Sequence, residues 1–412
     1  MSRTILDVHV LQTVPPSNIN RDDTGAPKSA VYGGVRRSRV SSQAWKKATR
    51  KAFEDLLDPA ELGVRTKKVV EALTRRITAR EESLTAEAVW PMAAEIITAA
   101  TGARMEVPSR GSAAKGKGKA TGDSKGDAED APTEPQAPQS SYLLFLSARQ
   151  LDGLADLAVE GLAKKAEPKV FVKEPGLKAR AKQIASTRHS VDIALFGRMV
   201  ADTTDINVDA AAQVAHALSV HPVDLETDYF TAVDDQNGDA ETGAGMIGTV
   251  DFNSATLYRY AAVDIDLLTE NLVAGLTEGG LGGAPVRRAV EAFIEGFALS
   301  MPTGKLNTFG NNTLPDAVIV KLRSARPISF VGAFENPVAQ DTADGHVRAA
   351  CEALAEHIPS VEDAFGATAD RTWVVRVGKQ TQGLADLGDE VNLRDLVTQV
   401  GQAVEGRLEK RG

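Results

Sequence analysis

Strand-like and helix-like stretches alternate along this chain in an order that leaves few folds open to it. Thr4–Val14 is rich in β-branched residues, with Ile5, Val8 and Val10, and reads as a strand. Ser41–Leu57 then carries Ala44, Trp45, Ala48, Ala52, Phe53, Leu56 and Leu57 on one stripe at helical period. Two β-rich segments, Tyr229–Val233 and Gly248–Phe252, flank a run of Gly and Asp, which predicts a long protruding hairpin or loop. Ala255–Asp264 reads as a strand, Val286–Ser300 as a helix and Ala317–Leu322 as a strand. Assembled from segments 4–14, 41–57, 228–264, 286–300 and 317–322, the order is strand–helix–strand–strand–helix–strand. That is the ferredoxin-like or RRM order, and the expected fold class is α+β.

The intervening segments are mostly helical in pattern. Helical spacing runs past Pro59 to roughly Ala100 and returns at Ala148–Ala166, Lys178–Thr187 and Ala210–Leu218, with Tyr142–Leu146 a short apolar run. After Pro327 the pattern predicts a helix at Val347–Glu356, a strand at Trp373–Val377 and a terminal amphipathic helix near Leu393–Leu408. Between Ser109 and Ser141 there is no Val, Ile, Leu, Met or aromatic residue. Such a segment buries too little apolar area to offset its ordering entropy and is expected to be a disordered surface insertion.

A chain of 412 residues has room for two or more domains with their own cores. One cysteine, Cys351, excludes an intrachain disulfide framework and a Cys-cluster metal site. No signal-peptide pattern and no run of eighteen apolar residues are present, so a soluble cytoplasmic protein without a membrane partner is expected.

Charge is distributed unevenly. Residues 1–51 hold ten basic and three acidic residues, a net +7, whereas the whole chain is −9. Nine of those ten lie between Asn18 and Leu57, and such asymmetry points to a polyanionic partner. Ser41 is placed to cap the helix, and Val40 and Trp45 have the spacing of a hydrophobic staple. Gln43, Lys46, Lys47 and Arg50 fall opposite the apolar stripe. Upstream, Gly33-Gly34 leaves backbone open to close approach, and Arg36, Arg37 and Arg39 follow. A lone amphipathic helix with a basic face is most often only solvated. Here a glycine turn, an arginine cluster and a helix start feed one face, which favours phosphate binding.

Other motifs carry less. Asp22 and Asp23, beside Asn18 and Asn20, suggest metal ligands of a nuclease, but adjacent carboxylates diverge on most backbones. Orienting the loop is their expected role. The six histidines have no metal-ligand spacing, and structural roles are expected for them. Pro302-Thr-Gly-Lys305 lacks the glycine spacing and the Ser/Thr of a P-loop, although Lys305, Asn307 and Phe309 remain able to touch a polyanion. The Gly279–Gly283 run reads as a loop. Aromatic content is only 5%, and no RNP signature is present, so phosphate contacts rather than base stacking should dominate.

One combination of motifs spans more than forty residues: Val8–Val10, Asn20–Asp23, Lys28, Tyr32–Gly34, Arg36, Arg37, Arg39, Ser41–Gln43 and Lys46–Lys51. It resembles the CasC family, the crRNA-binding backbone subunit of the type I-E CRISPR Cascade complex, and Val191–Met199 (VDIALFGRM) resembles a further stretch of that family. The resemblance implies an RRM-like palm from 1–57 and 191–330, a helical finger domain over 58–190 containing the insert at 109–141, and a thumb hairpin at 226–256. Residues 331–412 would pack on the palm. It implies a hexameric, non-enzymatic scaffold without metal or cofactor that oligomerises along the CRISPR RNA and presents its bases to the target DNA strand in antiviral defence. The further partners are the large, small, tail-end and guide-processing Cascade subunits. Residues expected at RNA are Arg21, Lys28, Arg36, Arg37, Arg39, Ser41, Gln43, Lys46, Lys47, Arg50, Arg198 and Lys305, with Met199, Met246 and Ile247 as base-displacing wedges. Two other readings stay open: a metal-dependent RNase using Asp22 or Asp23, and a stand-alone single-strand RNA-binding protein.

Overall fold

Strand Ile5–Ser17 is buried without a break from Ile5 to Gln12, polar Asp7, His9 and Gln12 included, because both of its faces are covered. In the computed structural model, which describes residues 3–108, 135–200, 204–232, 246–274, 283–339 and 345–411, this strand lies near the middle of a ten-stranded sheet. The path runs Asp389–Glu390, Arg371–Arg376, Ala317–Arg323, Ile5–Ser17, Met246–Asp264, Ala217–Ser219, Val35–Val40, Ser29–Tyr32. Val8 stands opposite Ala261 on one side and Val320 on the other, both ladders antiparallel. Side chains of alternate residues therefore reach opposite faces.

One face carries Leu11, Tyr258, Tyr260, Ile319 and Val374, buried with Phe330, Phe334 and the apolar side of helix His346–Phe365. On the other face Arg259 lies flat on Trp45 of helix Ser42–Leu56, its Cζ 3.7 Å from the ring centroid. Its guanidinium donates to Gln12 Oε1 (2.6 Å) and to the carbonyl of Phe297 in helix Ala284–Leu299. Burial draws the Arg259 pKa down to about 9. Helix Leu393–Glu409 is tied to Ala284–Leu299 by the Arg287–Glu405 ion pair at 3.0 Å. These elements form one compact unit, Met1–Leu57, Ala210–Asn271 and Gly280–Gly412.

Ala210–Leu218, expected as a helix, instead supplies strands Ala212–Val214 and Ala217–Ser219. Val214 pairs with Ala261, Ser219 with Leu257, and Leu218 with Arg39. Sheet pairing overrides the alanine-rich helix propensity of this stretch.

The second unit is Asp58–Asp209 with Leu272–Gly279. Helices Val69–Thr78, Ala86–Thr101, Ala148–Ala163 and Leu177–Ser186 enclose a core that includes Leu73, Ile77, Ile96, Leu151 and Leu154. Ser147 and Gln150 form a reciprocal capping box on Ala148–Ala163, with both bonds at 3.0 Å. The helical reading past Pro59 misses strand Gly63–Thr66, which pairs with Leu144–Ser147. Residues 191–209, expected with the palm, group here with the helices. Helix Val191–Phe196 is buried, and Asp192 Oδ1 accepts from Gly63 N at 3.0 Å.

Of the predicted insert, 109–134 lies outside the described residues. Its far end is ordered: Ala137 is buried, and Gln139–Ser140 pairs with Met105–Glu106. Among the described residues no helix is long and apolar enough to cross a membrane.

Candidate nucleic-acid interface

The start of helix Ser42–Leu56 is built as its sequence predicts. Ser41 has extended backbone, and its Oγ accepts from Ala44 N at 3.4 Å, while Val40, Trp45 and Phe53 are buried below. Asn20 adds what the sequence reading did not find: its Oδ1 accepts from Ser41 N at 2.8 Å, clamping the basic loop to the helix start. Gln43 and Lys47 are exposed, and Lys46 is half-buried. Burial lowers the Lys46 pKa, and among the described residues no hydrogen bond or ion pair answers its ammonium. A partly desolvated cation without an acid is ready for an external anion.

Strands Ser29–Tyr32 and Val35–Val40 form a hairpin whose turn is Gly33-Gly34. Gly33 has φ +60°, and a Cβ there would stand 1.7 Å from the Glu335 carbonyl oxygen. Gly34, at φ +78°, has nothing within 4 Å of an added Cβ. Gly33→Ala should therefore cost well above about 1 kcal/mol, lowering the melting temperature by more than about 2–4 °C. Gly34→Ala should be the milder change, and equal losses in a thermal melt would contradict the packing reason.

Arg36 and Arg21 are exposed, and Arg39 and Lys28 are half-buried. Arg37 is different. It is fully buried and donates to the carbonyls of Tyr32 (3.2 Å), Ser219 (2.9 Å) and Phe334 (2.7 Å). It is a strut that holds the hairpin, which corrects its expected place at RNA. Asp22 Oδ1 accepts from Thr24 N (2.9 Å), Thr24 Oγ1 (2.7 Å) and Ala26 N (3.1 Å), with the Thr24 hydroxyl the main cause holding its pKa below the usual range. That is a loop-turning role. Among the described residues no group of three or more His, Cys, Asp or Glu is placed to hold a metal.

Lys305 comes to the same region through Gly304, whose position leaves no room for a Cβ: one would lie 2.5 Å from the Ile19 carbonyl oxygen. Lys305 itself takes the left-handed conformation (φ 52°) ahead of the short helix Leu306–Phe309. Asn18 fastens the loop from the other side, donating to the carbonyls of Gly25 (2.9 Å) and Asp251 (2.8 Å). His216, expected to be merely structural, is exposed with Nδ1 3.2 Å from Arg39 Nη1. The helical pattern of 210–218 hides this place in the sequence.

The predicted hairpin is present as Glu226–Ala232 against Met246–Phe252. Residues 233–245 lie outside the described residues. Met246 and Ile247, expected as base-displacing wedges, sit in the ladder opposite Ala232 and Thr231. By strand alternation Ile247 shares a face with Tyr229, and both are 60% exposed.

Arg198 and Met199 belong to the helical unit. Arg198 is buried and donates to the carbonyls of Ile206 (2.8 Å) and Ala185 (2.7 Å) and to Gln150 Oε1 (3.2 Å). Burial draws its pKa down to about 10. It braces the loop after helix Val191–Phe196 rather than facing a phosphate, which corrects the expectation. Beside it Met199 is 87% exposed.

No curated protein matches the chain. Among solved structures, a chain of a "CRISPR RNA-guided surveillance complex, pre-nicking" is 31% identical with TM-score 0.76, over 97% of this chain and 100% of that one. A chain of a "CRISPR RNA-guided surveillance complex" is 28% identical with TM-score 0.66, over 96% and 99%. The model of one family, described as CT1975-like protein, matches residues 6–399. With nearly the whole length matched, the chain belongs to the CT1975-like protein family.

Proposed function

We propose that this protein is the crRNA-binding scaffold subunit of a Cascade-type surveillance complex, resembling the CasC subunit of type I-E systems. The observation that carries the reading is the Lys46 ammonium, partly desolvated and unanswered among the described residues, on the helix that Arg39 and, through its carbonyl bond to Arg39 N, Lys28 adjoin. The similarity to surveillance-complex chains over nearly the full length supports it. The strand order Ala317–Arg323, Ile5–Ser17, Met246–Asp264, Ala217–Ser219 supports an RRM-like palm at the centre of the larger sheet.

Basic side chains on strands and a helix start bind phosphates and leave base edges unread. Copies, six by the family resemblance, polymerise along the guide in the cytoplasm, and pairing with the target DNA strand supplies sequence specificity. The large, small, tail-end and guide-processing subunits complete the assembly. The protein acts as a scaffold and not as an enzyme. Exposed Ile247 and Met199, with Met246, serve as wedges that displace guide bases at intervals; an apolar wedge offsets the few kcal/mol of stacking lost per step.

The test is binding of single-stranded RNAs of unrelated sequence, followed by a guide carrying a fluorescent base analogue at each position in turn. Affinity should be nearly independent of sequence and fall with salt, the RNA should stay intact in Mg²⁺, and bright positions should recur periodically. Strong sequence preference, or a flat fluorescence pattern in the wild-type complex, would count against the scaffold or the wedge respectively.

A further inference from the structure

Lys28, Arg39 and His216 come from three separate segments of the sheet unit and lie together: the Lys28 carbonyl accepts from Arg39 N at 2.9 Å, and His216 Nδ1 lies beside the Arg39 guanidinium. His216 lies on the connection between strands Ala212–Val214 and Ala217–Ser219, where Leu218 pairs with Arg39 and Ala217 with Val40. Arg39 Nε donates to the Ser29 carbonyl at 3.2 Å, which fixes its guanidinium, and Nη1 reaches His216 Nδ1 at 3.2 Å. A guanidinium has only donors, so a hydrogen bond between the two requires the neutral imidazole with Nδ1 unprotonated. The charged groups that face His216 are Arg39 and Lys28. Burial first, then these two cations, hold its pKa below the ordinary histidine value. Among the described residues none of the three side chains forms an ion pair with a carboxylate. Three basic groups collected without an acid are short of one anion.

We infer that Lys28, Arg39 and His216 form a phosphodiester site, at which His216 takes up a proton as the phosphate enters. The inference rests on the RNA-binding reading above and adds to it a titrating member. Arg39 turns its N–H groups from Nδ1 to a phosphate oxygen. The freed Nδ1 then binds a proton from solvent, and the resulting imidazolium donates to the same phosphate. Proton uptake on binding means that affinity rises as pH falls, over the interval between the free and the phosphate-bound pKa of His216. Each unit of separation between the two gives about tenfold in affinity.

The experiment measures the affinity of the full chain for a single-stranded RNA of mixed sequence at pH 8 and pH 6, across a salt series, for wild type and His216→Gln. Wild type should gain up to about tenfold on going to pH 6. Its slope of log K against log salt should change little, because His216 joins a phosphate that Arg39 already neutralises. His216→Gln, at an exposed position, should lose the gain at low pH. If wild type binds RNA and the variant follows the same pH profile, or if the wild-type slope steepens by a whole phosphate, the site is overturned while RNA binding stands. If wild type binds RNA at neither pH, the RNA-binding reading fails, and this inference fails with it.

Discussion

Replacing Arg323 by methionine should lower the unfolding free energy of the sheet unit by about 3–5 kcal/mol, because it leaves a buried carboxylate without its cation. Arg323 is 3% exposed and Asp7 is fully buried, with Arg323 Nε 2.6 Å from Asp7 Oδ2. The same guanidinium reaches Glu362 Oε1 at 2.7 Å and the Ala367 carbonyl at 2.6 Å. Lys321 would still pair with Glu362 at 3.2 Å, so Asp7 bears most of the loss. Among the described residues Asp7 would keep the hydrogen bonds of the Tyr260 hydroxyl (2.9 Å) and Ile328 N (3.2 Å), with Lys321, which also serves Glu362, as the remaining nearby cation. Burial already holds the Asp7 pKa above its ordinary value, with Arg323 as the main opposing cause, and the variant would raise it further. A carboxyl whose folded pKa is raised stabilises the fold below its unfolded pKa and loses that contribution as pH rises through the folded value. The deficit of the variant should therefore be larger at pH 7 than at pH 5. Adding Asp7→Asn, which still accepts from Tyr260, should recover part of the loss. Urea unfolding followed through the sheet unit checks this, and a deficit that does not change with pH would place the cost elsewhere than Asp7.

That network also marks how far the sequence could be read. Helix Ser42–Leu56 was legible in outline, because cap and apolar stripe are local signals: Ser41 caps it and Trp45 and Phe53 are buried, although buried Thr49 lies off the expected stripe. The pairing of Asp7 with Arg323 was not legible, since 316 positions separate them and only sheet register brings them together. Arg37 and Arg198 show the same limit in the candidate site. Arg37 donates to the Ser219 carbonyl 182 positions away and Arg198 to that of Phe145 53 positions away, so arginines that read as phosphate ligands in sequence fold into buried struts. Conversely His216 becomes visible as a neighbour of Arg39 only when 212–219 is seen as strand. The hairpin at 226–252 was legible from its β-rich flanks, but the register that puts Ile247 opposite Thr231 follows from pairing alone.

Reversing Lys46 and Arg50 to glutamate should weaken RNA binding by about 10²–10⁴-fold, taking each lost charge-assisted contact as roughly 1.5–3 kcal/mol. The two residues are four apart on helix Ser42–Leu56 and so share a face. Lys46 matters most, because its ammonium is partly desolvated without an acid partner among the described residues. The free protein bears that desolvation cost, and an RNA phosphate relieves it on binding. Losing two phosphate contacts should also reduce the slope of log K against log salt by about 1.4. The loss should be nearly the same for every RNA sequence, since phosphates carry no base information. The corresponding Lys46→Gln/Arg50→Gln chain separates lost attraction from added repulsion and should fall between the two. Trp45 and Phe53 hold the helix from its opposite, buried face, so melting temperatures should move little. Wild-type affinity and slope in the reversed chain would remove this helix from the RNA surface, whereas a loss confined to some sequences would mean that the helix reads bases.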